Sequence, residues 1–149
     1  MATVQDLLRV KGNDVWWVRP DTPAIEALKL MAEKNIGALL ILDQEGKVSG
    51  IISERDFARH IAKVGQCIVD EPVGNYMTQE VIGVRPETTI DECMLLMTRQ
   101  RIRHLPVVTQ EGKLVGMISI GDVVKQVIAD QSILIASLEN YILGRDYPR

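Results

Sequence analysis

The sequence predicts an α+β fold made from two copies of one strand-helix-strand-strand-helix unit, and three observations predict it. The stretch Gly116-Met117-Ile118-Ser119-Ile120-Gly121-Asp122 repeats Gly50-Ile51-Ile52-Ser53-Glu54-Arg55-Asp56 at a distance of 66 positions. Sliding residues 15–60 onto 81–126 needs no gap, and about 18 of the 46 pairs are identical, where unrelated segments give a handful. Within each copy the apolar pattern alternates between short strand-like runs and helical spacing. Function is therefore to be sought in what two copies do together.

The elements follow in order. Thr3 is placed to cap a short lead-in helix, with Asp6 in its first turn and Val4, Leu7 and Leu8 on one side, until Gly12-Asn13 ends it. Val15-Trp16-Trp17-Val18 is rich in strand formers and stops at Arg19-Pro20. Alternation across that strand points one tryptophan at the core and the other at a cleft or rim. Thr22 is the expected cap of the next helix, with Pro23 at its first position, and Asn35 marks its end. Ala38-Leu39-Leu40-Ile41-Leu42 is continuously apolar, as for a strand covered on both faces, and Asp43-Gln44-Glu45-Gly46-Lys47 turns it into a hairpin. Ser53 caps the helix over 54–64, whose Phe57, Ile61 and Val64 share a face.

The second unit reads likewise: a helical lead-in over 73–77, a strand over 81–84, a helix over 89–99, strands over 105–108 and 114–119, and a helix from 121. That last helix carries an apolar stripe onward through Val127, Ile128, Leu134, Leu138 and Ile142 to about Gly144, and it needs another surface to cover it. The expected units are 3–64, a linker 65–72, and 73–143.

Composition narrows the function. With 46% hydrophobic and 25% charged residues over 149 positions, the chain can bury its own core. A net charge of -3 and a pI near 5.4, without a basic cluster, argue against nucleic acid as partner. No apolar run reaches about 18 residues and no basic start leads into an apolar segment, so no membrane span is expected and a cytoplasmic location is. Cys67 and Cys93 have neither disulfide-framework nor zinc spacing, and read as structural thiols in a reducing compartment. Gly-x-x-Ser-x-x-Asp lacks a general base beside its serine, and no phosphate-loop lysine or dinucleotide-binding glycine pattern occurs, so no enzyme is expected.

The in-register repeat, its element order and the two Gly-x-x-Ser-x-x-Asp endings resemble the CBS-domain family, named for cystathionine beta-synthase, and in particular small stand-alone tandem pairs. The resemblance covers roughly residues 3–143. It implies two repeats packed by pseudo-twofold symmetry, two clefts between them for adenosine-containing ligands, and a homodimer. It also implies a ribose-binding role for Asp122 and Asp56, with phosphate contacts coming partly from the opposite repeat. Read physically, Ser119 and Ser53 sit where a hydroxyl, free backbone N–H groups and a helix dipole meet, which suits a phosphate. The alternative is that serine and aspartate simply cap their helices.

Asymmetry ranks the clefts. Arg55 has Gly121 as its counterpart, while Ile36-Gly37-Ala38 stands opposite Ile102-Arg103-His104. By the resemblance, which draws phosphate contacts partly from the opposite repeat, Asp122 is expected to share the principal cleft with Ser119, Arg103 and Arg55. The cleft of Asp56 and Ser53 ranks second, with Gly37 in place of the arginine and Arg103 and His104 at its border. Pro106 matches the family's usual proline and Leu40 departs from it, and Trp17 is a candidate support for an adenine ring. The expected function is a sensor of AMP, ADP, ATP or NAD, with AMP or NAD favoured, which signals to an unidentified protein client and uses no metal or catalytic cofactor. The alternative is a structural or partner-binding dimer with degenerate clefts.

Overall fold

The computed structural model describes residues 1–66 and 69–144, so Cys67 lies outside the described residues. Helix α1 (Val4–Lys11) starts at a reciprocal cap: the Thr3 hydroxyl accepts from the Asp6 amide, and the Asp6 carboxylate accepts from the Thr3 amide at 2.9 Å. The first repeat follows as β1 (Trp17–Val18), α2 (Ala24–Lys34), β2 (Ala38–Leu42), β3 (Val48–Ser53) and α3 (Glu54–Val64). The second has a single 3₁₀ turn (Val73–Asn75), α4 (Ile90–Gln100), β4 (His104–Val108), β5 (Leu114–Ser119) and α5 (Ile120–Ile142).

In the first sheet β2 is central, parallel to β1 and antiparallel to β3, with Ala38 opposite Ser53. In the second, β4 and β5 pair with His104 opposite Ser119. The two hairpins even share an irregularity, at Ile41/Leu42 and at Val107/Val108. All five β2 residues are buried, so the strand is covered on both faces, as its unbroken apolar run requires. Leu39, Ile41 and Ile52 anchor one core, and Leu105, Val107 and Ile118 anchor the other.

Each lead-in packs on the repeat other than the one it introduces. Val4, Leu7 and Leu8 of α1 join the core of the second repeat, while Val73 and Tyr76 join that of the first. Glycine permits the close approach at both places. A Cβ on Gly116 would lie 2.9 Å from Leu8 Cδ2, and one on Gly50 would lie 2.6 Å from Met77 Sδ. Backbone bonds fasten the exchange: Val4 N–H donates to Thr88 O, Ile90 N–H to Ala2 O, Ala24 N–H to Glu71 O and Val73 N–H to Thr22 O. The same segments thereby carry side chains to the ends of β3 and β5, where the serines and aspartates stand.

Three local expectations are corrected. The predicted strand over 81–84 is reduced to one bridge, between Val84 and Val107. In the first copy Leu40 N–H donates to Trp16 O; the residue equivalent to Leu40 is Pro106, which has no N–H to give. Thr22 does not cap α2, because its hydroxyl accepts from the Arg19 amide at 3.1 Å and closes the preceding turn; Pro23 takes the cap position. Neither tryptophan enters the core. Trp16 and Trp17 are 38% and 43% exposed, beneath the cations of Lys34 and Arg19 respectively.

Helix α5 runs for 23 residues, about 35 Å. Val123 is buried and Val127 packs on the core, but Ile128, Ile133, Leu134, Leu138, Tyr141 and Ile142 are each more than half exposed. The buried thiol of Cys93 is pushed up to about 11 by desolvation, which keeps it an unreactive core residue. Among the described residues no helix is long and apolar enough to cross a membrane, and no group of His, Cys, Asp or Glu could hold a metal ion.

Candidate functional site

Helices α3 and α5 begin with the same arrangement. Ser53 Oγ accepts from the Asp56 amide and Asp56 Oδ2 accepts from the Ser53 amide at 2.8 Å; Ser119 and Asp122 repeat it, also at 2.8 Å. The motif therefore does cap both helices, which satisfies two otherwise unpaired donors at each start. What differs is the partner brought by the exchanged lead-in. Asp56 Oδ1 accepts from the Thr78 hydroxyl at 3.1 Å. Asp122 Oδ2 accepts from Lys11 Nζ at 2.6 Å, and the same ammonium donates to Met117 O at 2.6 Å.

A cleft of about 640 Å³ opens between the repeats, within the size range of ligand sites. Ser53, Arg55 and Asp56 of the first repeat line it together with Ile102, Arg103, His104 and Pro106 of the second. Thr78, Val81 and Ile82 also line it, as do Ser119, Ile120 and Gly121. Gly37 is in the same lining, and a Cβ there would make an ordinary van der Waals contact with His104 Cε1 at 3.7 Å.

The structure thus groups the anticipated residues differently from the expected ranking. Arg55 and Arg103 line the cleft of Asp56, not one shared with Asp122, whose side chain is engaged by Lys11. Ala38 is fully buried in β2, and Trp17 lies in a groove at the hairpin tips with Leu42 and Lys113, so neither lines this cleft. Pro106 does line it, so the departure at Leu40 has no bearing on Asp56.

Sequence reasoning passed over Arg59, Arg101, Thr78 and Glu80. Arg59 was readable, one helical turn after Arg55 on α3. Arg101 was not, because its place depends on backbone shape: it ends α4 at φ 54, the conformation Asn35 adopts at the end of α2. A left-handed arginine is costlier than a left-handed asparagine by roughly 1 kcal/mol. Its carbonyl accepts from Arg55 Nη1 at 3.1 Å, which ties the two arginines across the cleft. Among the described residues none of Arg55, Arg59, Arg101 and Arg103 forms an ion pair with a carboxylate.

His104 links the two ends of this region. Burial holds its imidazole below the ordinary value of 6.5, Lys11 and Arg103 push the same way, and Asp122 and Glu54 oppose them. Burial alone raises the Asp122 carboxyl, but the hydrogen bonds from Lys11 and Ser119 outweigh it and hold the group below 3.8. His60 packs on Tyr76 with ring centroids 4.0 Å apart, and its Nε2 lies 3.5 Å from Glu71 Oε2.

Two repeats joined through exchanged lead-ins, each with a capped Ser-x-x-Asp helix start, define a tandem-repeat module with a cationic cleft at Asp56. The chain belongs to the CBS domain family, whose model matches residues 4–63 and 73–129. It is 38% identical to the mitochondrial CBS domain-containing protein CBSX3 of Arabidopsis thaliana, over 96% of this chain and 73% of that protein. It is 45% identical to a solved CBS-domain protein of Burkholderia ambifaria, with a TM-score of 0.81 over 87% of this chain and 96% of that one. The structure of CBSX2 in complex with AMP is similar at 25% identity, with a TM-score of 0.72 over 87% of this chain and 98% of that one.

Proposed function

We propose that this CBS pair is a regulatory module that binds an adenine nucleotide in the Asp56 cleft and passes its occupancy through a homodimer to a protein client. The observation that carries the reading is one cleft holding the Asp56 carboxylate, the Thr78 hydroxyl and four guanidiniums that form no ion pair with a carboxylate among the described residues. A carboxylate suits the hydroxyls of a ribose, the arginines suit phosphate, and Val81, Ile82, Ile102 and Ile120 offer apolar surface to a base. AMP and NAD are the favoured ligands, ahead of ADP and ATP, and the AMP complex of CBSX2 supports that class. The exposed apolar stripe of α5 supports pairing of two chains, since a large uncovered apolar helix face marks an interaction surface. Its contacts in a symmetric pair are isologous.

Calorimetric titration with adenosine, AMP, ADP, ATP and NAD tests the binding reading. Phosphate-bearing ligands are expected to bind more tightly than adenosine, and Arg103→Ala to weaken them selectively by roughly 1.5 to 3 kcal/mol. Equal affinity for adenosine and AMP, or no binding by the series, overturns it. The competing reading, a dimer with degenerate clefts, finds support at the Asp122 end only, where Lys11 is already in place.

A further inference from the structure

Lys11 and Asp122 are 111 residues apart in sequence and meet at 2.6 Å, in a pair with the aspartate side chain 20% and the lysine side chain 35% exposed. Among the described residues Asp56 has no such ion pair. Leu8 on Gly116 corresponds to Met77 on Gly50, so three residues further along Lys11 corresponds to Glu80. A glutamate there cannot pair with Asp56, and the hydroxyl of Thr78 bonds that carboxylate instead.

We propose that Lys11 is a built-in occupant of the Asp122 end, so that each chain takes a single nucleotide, in the Asp56 cleft. The proposal rests on the nucleotide reading above and adds its stoichiometry and the residue that sets it. For a ribose to reach Asp122, two neutral hydroxyls must displace an ammonium that is hydrogen-bonded to the carboxylate and to the Met117 carbonyl. The displaced charge loses both partners while still partly covered, and a charge-assisted bond is stronger than the neutral ones replacing it. Less is in place at that end to recruit phosphate in compensation: Arg59 and Arg101 have Lys125 and Asn35 as their counterparts, so one cation stands where the Asp56 cleft has four. The positions equivalent to Arg103 and Arg55 are Gly37 and Gly121, and both arginines line the Asp56 cleft. Lys11 is placed for this by the course of α1: Leu8 locks the helix onto β5, Gly12 ends it at φ 98, and the last-turn lysine reaches back along β5 to Met117.

The test is the number of AMP or ADP molecules bound per chain, by calorimetry and native mass spectrometry, in wild type, Lys11→Met, Asp56→Asn and the double variant. Wild type is expected to bind one and Lys11→Met two. Asp56→Asn is expected to weaken the single wild-type site about 10- to 150-fold, and the double variant to regain one site, now at Asp122. Two molecules bound to wild type, or one bound to a folded Lys11→Met, overturn the proposal. Where Lys11→Met does not fold, Lys11→Gln gives the same readout. Asp56→Asn alone also decides: an undiminished site in that variant overturns the proposal, and its loss supports it. Absence of binding by every protein, wild type included, removes the nucleotide reading and this proposal with it, whereas a wild type that binds two removes only this one.

Discussion

The helix starts at Ser53 and Ser119 carry the same capping box, yet Asp56 faces the hydroxyl of Thr78 and Asp122 faces the ammonium of Lys11. The hairpins are alike in strand register and bulge position, so the partners of the two aspartates do not differ because of the hairpin framework. The difference comes from the lead-ins, which lie outside the repeated 46 residues and cross to the opposite repeat. Two copies of a motif become two different sites when the segment that completes each is free to diverge. The entrances to β2 and β4 add to this, since Gly37 and Ala38 stand where the other copy has Arg103 and His104.

The largest effects probe whether the two halves are equivalent as folding units. Leu39→Ala and Leu105→Ala remove fully buried side chains from matching positions of the two cores, and each is expected to cost roughly 2 to 5 kcal/mol in denaturant unfolding. A cost near zero at either one breaks the equivalence. Next comes the contrast between the aspartates. Asp56→Asn removes the charge from the open cleft and is expected to weaken AMP by roughly 1.5 to 3 kcal/mol in titration. Asp122→Asn is expected to leave AMP affinity unchanged and to lower the melting temperature, because it strands Lys11. The reverse order returns the principal site to Asp122. Smaller still are the caps: Ser53→Ala and Ser119→Ala each lose one, worth about 0.5 to 2 kcal/mol of stability. Only Ser53→Ala is expected to weaken AMP as well, since the Ser53 hydroxyl also donates to Asp56 Oδ2 at 3.1 Å. An equal effect on AMP from Ser119→Ala rules out that distinction.

The repeat, the hairpins and the helix caps at Thr3, Ser53 and Ser119 were legible because they rest on residues close together in sequence, while a fourth reciprocal cap, Thr89 with Glu92, was passed over. So was the buried character of β2, from its five apolar residues. The loss of the strand before Val84 was also written in the chain, but only to a reader who asked which N–H must serve the neighbouring ladder and found Pro106 there. The grouping of Arg55 and Arg103 with Asp56 was not legible. It depends on which way side chains leave β4 and α3 across the junction, and no periodicity within one repeat reports that. The role of Lys11 was hidden for the same reason: at the end of a short amphipathic helix it reads as a solvated charge, and only the crossing of the lead-in sets it beside Asp122.

The smallest expected effect is one of pH, and it belongs to the second repeat alone, because the residue equivalent to His104 is Ala38. His104 is flanked by Lys11, Asp122, Glu54 and Arg103, and burial together with the two cations holds its folded-state value below 6.5. Above that value the imidazole is neutral whether the chain is folded or not, and it contributes nothing to stability. As the pH falls through 6.5 the unfolded chain takes up a proton that the folded chain still refuses, so stability declines with falling pH until the lowered folded-state value is passed. Asp122 acts further down the scale: its depressed value gives stability that is present above 3.8 and lost only as the pH falls through the folded-state value. Thermal melts of wild type and His104→Gln between about pH 7.5 and 5 separate the two, with the slope shallower in the variant. Lys11→Met is expected to flatten it as well, since removing that ammonium leaves Asp122 and Glu54 to draw the imidazole upward. A slope unchanged in His104→Gln assigns the pH dependence elsewhere. A slope steeper in Lys11→Met contradicts the placement of the ammonium between the two ends of the module.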